Sequence, residues 1–146
     1  MQRKASAVWT GGLKDGSGKL STTSGVLKDT QYSFSTRFEN GIGTNPEELI
    51  AAAHAGCFSM ALSAQLGNAG LKPERIATEA TLTMEKLEAG FTITAIHLQV
   101  NARIPGASAE AFRTAADNAK AGCPVLRVLN AKITMDAKLE ESRAAD

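Results

Sequence analysis

The chain has 146 residues and a formal net charge of +1, from 16 Lys and Arg against 15 Asp and Glu. That length suits a single domain spanning 1–146, and such a chain buries enough surface to fold without metals or disulfides. With 43% hydrophobic and 21% charged residues it is not a disordered chain, and near-neutrality with 5% aromatics argues against nucleic-acid, membrane-surface and base-stacking roles.

The opening residues MQRKASAVWTGG hold no apolar core of signal-peptide length, and no run approaches 18 uninterrupted apolar residues. A cytoplasmic protein without a membrane span is expected, in a compartment that keeps thiols reduced. Lys4 to Trp9 reads as a strand and Gly11 to Gly18 as a turn. QYSFSTRF alternates, with Tyr32, Phe34 and Phe38 on one face, so a strand is expected with Arg37 pointing to the other.

Asn45-Pro46 reads as a helix start, with Asn as N-cap and Pro at the first helical position. Glu47 and Glu48 fall in the first turn, and Glu48 completes a variant capping box. Leu49 to Leu66 is apolar on nearly every face, which suits a helix buried all round and hints at a partner subunit. Gly67 or Gly70 ends it.

Ile76 to Ile104 alternates again, turning at Glu88-Ala89-Gly90. Its phase slips near Ala95, which predicts a bulge or strong twist, and Pro105-Gly106 closes the hairpin. Ser108 caps a second helix that Gly122 ends, VLRVL forms a short turn, and Lys132 to Leu139 is a last strand. The class is α+β, with antiparallel strands, one buried helix and a second helix near the end. The charged tail from Glu140 to Asp146 is expected to be loosely ordered.

Two cysteines are too few for a disulfide scaffold, and neither lies in a CxxC pair. Neither His54 nor His97 has zinc-ligand spacing to them, so no metal site is expected. Cys57 lies within the apolar helix, where an inert small hydrophobe is the commoner role. Cys123, between Gly122 and Pro124, would cap the VLRVL turn, and a helix N-terminus lowers a thiol pKa. A thiolate that attacks a peroxide needs a cation, an open pocket and a way to discharge the sulfenic acid. Arg37 offers a fixed charge, Glu47 or Glu48 could orient it, and a second cysteine could trap the sulfenic acid. Strand exposure for Arg37 and helix capping for the acids are the plainer alternatives.

TNPEELIAAAHAGCFSMAL, with the second cysteine in KAGCPV, resembles the OsmC/Ohr family of bacterial thiol peroxidases. The arginine in YSFSTRFE resembles the OsmC branch, and the likeness runs from about Lys4 to Leu139. The resemblance implies an intertwined homodimer, with antiparallel sheets wrapped around a central buried apolar helix. It implies reduction of hydroperoxides, organic ones preferred, without metal or bound cofactor. Cys57 then attacks the peroxide and Cys123 resolves the sulfenic acid as a disulfide. Arg37 activates the thiolate and Glu47 holds Arg37. A dithiol resets the pair, lipoylated proteins serving the Ohr branch.

Two expectations conflict with that assignment. The cap position favours Cys123, not Cys57, as the more acidic thiol. On one straight helix Glu47 and Cys57 would lie about 15 Å and roughly 80° apart. A helix break at His54-Ala55-Gly56, or a site assembled across the dimer, is therefore expected. Phe58 and Met60 are candidate pocket residues; His54 and His97 take no role. The rival functions are a non-enzymatic, stress-related dimeric binding module with structural cysteines and a redox sensor.

Overall fold

The computed structural model describes residues 1–141. The chain divides into two compact units, Met1–Leu49 and the residues from Ile50 onward.

The first unit is an antiparallel sheet in the order β1(Ala5–Thr10), β2(Ser17–Thr22), β3(Thr30–Tyr32), followed by the short helix α1(Phe34–Phe38). Gly18 on β2 pairs with Trp9 on one side and Tyr32 on the other. The two rings approach to 5.5 Å over it. A Cβ at Gly18 would collide with both rings, so glycine is what lets the aromatics meet across the middle strand.

The strand expected through Gln31–Phe38 stops at Tyr32, and Arg37 lies on a helix instead. Ser33 decides this. Its hydroxyl accepts from the Thr36 N–H at 3.3 Å, while its own N–H donates to Thr36 Oγ1 at 2.8 Å, a reciprocal capping box. Phe34 and Phe38 are four residues apart, so a helical turn brings their rings to 4.8 Å. Arg37 does not avoid the aromatic face, since its guanidinium lies 5.3 Å from the Phe38 ring centre.

Helix α2(Pro46–Asn68) starts where Asn45-Pro46 predicts. Asn45 Oδ1 accepts from the Glu48 N–H at 2.7 Å, and Asn45 Nδ2 donates to the Thr36 carbonyl at 2.8 Å. The Glu48 carboxylate does not turn back to the cap; it accepts from Thr44 Oγ1 at 2.7 Å. The expected break at His54-Ala55-Gly56 does not occur, and α2 is one continuous element. One glycine costs a helix about 1 kcal/mol, too little to interrupt a run of strong helix formers on both sides.

His54, Phe58, Leu62 and Leu66 form its buried stripe, while Met60 is 78% exposed, so this chain alone does not bury the helix all round. By length and composition α2 is long and apolar enough to cross a membrane, although His54, Ser59, Ser63 and Gln65 interrupt its apolar run. Its buried stripe packs in the core of the second unit. The helix closes as a Schellman motif: Gly70 has φ 77° and the Leu71 N–H donates to the Leu66 carbonyl at 2.9 Å.

In the second unit, β4(Arg75–Leu87) pairs antiparallel with β5(Gly90–Arg103), and β5 pairs parallel with β6(Lys132–Leu139). The wholly antiparallel expectation is corrected by that last pairing. Between β5 and β6 the chain makes a crossover through α3(Ala109–Gly122) and α4(Pro124–Val128), which returns β6 in the direction of β5. Pro105-Gly106 opens that crossover rather than closing the hairpin, whose turn is Glu88-Ala89. The bulge is at Thr94: Thr83 faces Ala95 and Met84 faces Ile93, leaving Thr94 as the extra residue.

Ile96, Leu98, Val100 and Ala102 alternate inward from β5 and meet Phe58, Leu62 and Leu66 with Phe112, Ala115, Ala116 and Ala119 of α3. Each large apolar side chain buried there contributes about 1.5–3 kcal/mol. At the chain end Glu140 is held, accepting from Arg103 Nε at 3.0 Å, against the expectation of a loose tail. The rest of that tail, from residue 142, lies outside the described residues.

Candidate active site

In the first unit, Arg37 and Glu47 form an ion pair. Arg37 Nε donates to Glu47 Oε1 at 2.9 Å and Nη2 donates to the same oxygen at 2.6 Å. Glu47, not Glu48, is therefore the carboxylate that orients Arg37. The helix start explains the choice: Glu48 is occupied at the Asn45 cap and by Thr44, while Glu47 is free to face α1.

Beside Arg37 lies a cavity of about 280 Å³, lined by Trp9, Leu13, Tyr32, Phe34, Phe38 and Pro46. Four of the chain's seven aromatic residues gather there. The expected pocket residues do not line it: Phe58 is a fully buried core residue and Met60 is exposed. The concentration of aromatics before residue 40 is the sequence signal that could have found it.

In the second unit, Cys57 is half-buried on α2 and Cys123 is fully buried at the α3–α4 joint; both are free thiols. Cys123 is the N-cap of α4, as expected, yet its acidity is the reverse of that expected. Burial pushes its thiol up; a hydrogen bond with Cys57 raises it further, while the N–H groups of Leu126 and Val125 pull it down by less. Those N–H groups face the sulfur without closing a cap hydrogen bond. The two thiols lie within hydrogen-bonding reach of each other. The structure thus forms two pairs, Arg37 with Glu47 and Cys57 with Cys123. Among the described residues no cluster of three or more His, Cys, Asp or Glu is placed to hold a metal ion.

Residues 38–138 match the model of the OsmC family, described as OsmC-like protein. The chain belongs to the OsmC-like family.

Among its relatives, the peroxiredoxin OsmC of Escherichia coli strain K12 is 51% identical over 140 residues, covering 96% of this chain and 98% of the relative. An organic hydroperoxide resistance protein of Xanthomonas axonopodis pv. citri is 32% identical over 85 residues, 58% of each chain. The crystal structure of the organic hydroperoxide resistance protein OhrB of Bacillus subtilis superposes with a TM-score of 0.72 at 25% identity, over 92% of this chain and 98% of that one. The OsmC-like match begins at Phe38, one residue after Arg37, and takes in Glu47 and both cysteines.

Proposed function

We propose that this chain reduces organic hydroperoxides to alcohols through its cysteine pair. The observation that carries the reading is the pairing of a half-buried thiol, Cys57, with a buried thiol, Cys123, within hydrogen-bonding reach of it. The peroxiredoxin and hydroperoxide-resistance names of its relatives support the same chemistry.

The Cys57 thiolate attacks the distal peroxide oxygen, the O–O bond breaks, and Cys57 becomes a sulfenic acid as the alkoxide leaves and takes a proton from solvent, the one the Cys57 thiol had released, to give the alcohol. Cys123 then attacks the Cys57 sulfur, the S–O bond breaks, and water leaves as the disulfide forms. The low exposure of Cys123 suits a resolving thiol, because it keeps that sulfur away from peroxide in solution. Arg37 holds the attacking thiolate and the developing alkoxide, and Glu47 fixes the guanidinium. The aromatic cavity at Arg37 takes the organic group of the substrate.

The active form is an intertwined homodimer. The uncovered apolar faces of α2, Met60 among them, favour burial against a second copy. A dithiol, such as a lipoylated protein, restores the thiols, and the protein works in the cytoplasm as one OsmC-like domain.

The test is steady-state turnover. Cumene hydroperoxide should be consumed continuously with dihydrolipoamide and slowly with a monothiol. Oxidation without turnover would make the pair a sensor; inert thiols would make the chain a binding module.

A further inference from the structure

The disulfide step leaves one requirement unmet. Cys123 must give up its proton as it attacks, yet its sulfur has no exposure through which water could take it. Among the described residues, only one other titratable side chain is fully buried, His54. Both of its ring nitrogens are buried without a hydrogen-bond partner. An imidazole with neither nitrogen engaged retains a lone pair and an N–H, the equipment of a proton relay.

Its position is suitable. His54 lies three residues before Cys57 on unbroken α2, a spacing that puts the two Cβ atoms about 5–6 Å apart on one helix face. Cys57 in turn lies within hydrogen-bonding reach of Cys123. Burial keeps the imidazole neutral by lowering its pKa, so it is available as a base near pH 7.

We propose that His54 relays the proton of the disulfide step. As the Cys123 sulfur attacks the Cys57 sulfenic acid, its proton passes to His54, directly or across one water, and returns from His54 to the hydroxide that leaves the Cys57 sulfur. The S–S bond forms from the Cys123 electron pair, the S–O pair departs with the oxygen, and one water is released. The oxidant is the hydroperoxide already spent on Cys57. This inference rests on the two-cysteine chemistry proposed above.

The experiment separates the two steps by rapid quench in His54→Ala. Sulfenic acid formation is read by peroxide consumption and dimedone trapping, and disulfide closure by loss of the second thiol. The first step should stay within twofold of the wild type, and closure should slow about 100-fold, the scale of a lost general base. An apolar-lined cavity of this kind admits a small ring, so added imidazole should restore closure in a dose-dependent way. Pyrazole, of the same shape but far weaker as a base, should not. Should His54→Ala fail to fold, His54→Gln should show the same split between steps.

Closure at the wild-type rate overturns the relay. So does equal rescue by both rings, or a slow closure that neither restores, since each assigns His54 to packing. Absence of any disulfide in the wild type would instead sink the peroxidase reading itself.

Discussion

Arg37 places Nε and Nη2 on a single oxygen of Glu47, leaving the other, Oε2, buried with no hydrogen-bond partner. A forked pair would use both oxygens. Three of the five guanidinium N–H donors lie outside the Glu47 pair.

Substitution at this pair should therefore act on the first chemical step. Lysine keeps the charge of Arg37 but loses the second donor, so Arg37→Lys should lower the rate of sulfenic acid formation about 100-fold. Glu47→Gln should cost less, because an amide oxygen still accepts from Nε. Stopped-flow consumption of one equivalent of cumene hydroperoxide measures both. Equal, wild-type rates would remove the pair from the mechanism.

The aromatic cavity should discriminate among substrates. Phe38→Ala removes one wall of it and the face on which Arg37 rests. We expect kcat/KM for cumene hydroperoxide to fall about tenfold, with little change for hydrogen peroxide, which has no organic group to place. A parallel fall for both substrates would mean that the substitution acts only through Arg37.

Exposure sets the order of thiol modification. Cys57 is half-buried, while Cys123 is fully buried and burial raises its pKa. Iodoacetamide at pH 8 should alkylate Cys57 first and Cys123 only after unfolding, as read by peptide mass. Preferential labelling of Cys123 would reverse the assigned roles.

Buried His54 should couple stability to pH. Burial lowers its pKa from 6.5, so as pH falls through and below that value the unfolded chain takes up a proton that the folded chain refuses. Wild-type stability therefore drops with acid through this group and is unaffected by it above about pH 7. In His54→Phe that drop is absent. The stability of the variant relative to the wild type should rise between pH 7 and pH 5, measured by urea unfolding. A constant difference would show that His54 titrates as if exposed.

Local signals in the chain were legible where one residue decides the geometry. Asn45-Pro46 starts α2, Ser108 caps α3, Cys123 caps α4, and the phase slip beside Ala95 marks the bulge at Thr94. Ambiguity entered where two periods fit the same residues. Phe34 and Phe38 suit both an alternating strand and an i,i+4 helical pair, and only the Ser33–Thr36 box separates the two. β2 escaped notice because SGKLST lacks an apolar alternation, being held by pairing with its neighbours. The parallel return of β6 depends on how a long crossover lies, which no short motif states.

Motif resemblance singled out Arg37, Glu47, Cys57 and Cys123, and the structure pairs Arg37 with Glu47 and Cys57 with Cys123. The acidity of Cys123 was not legible. Its cap position argues one way and its burial the other, and burial becomes visible only once the core is assembled. The orphaned imidazole of His54 was hidden for the same reason.

The central claim is that Cys57 attacks and Cys123 resolves. It is tested most directly by adding one equivalent of cumene hydroperoxide, or separately hydrogen peroxide, to the reduced protein and titrating free thiols. The wild type should lose both thiols rapidly, faster with the organic peroxide. Cys123→Ser should lose its one thiol to sulfenic acid, and Cys57→Ser should lose none. Persistence of both thiols in the wild type, or rapid thiol loss in Cys57→Ser, would contradict the account.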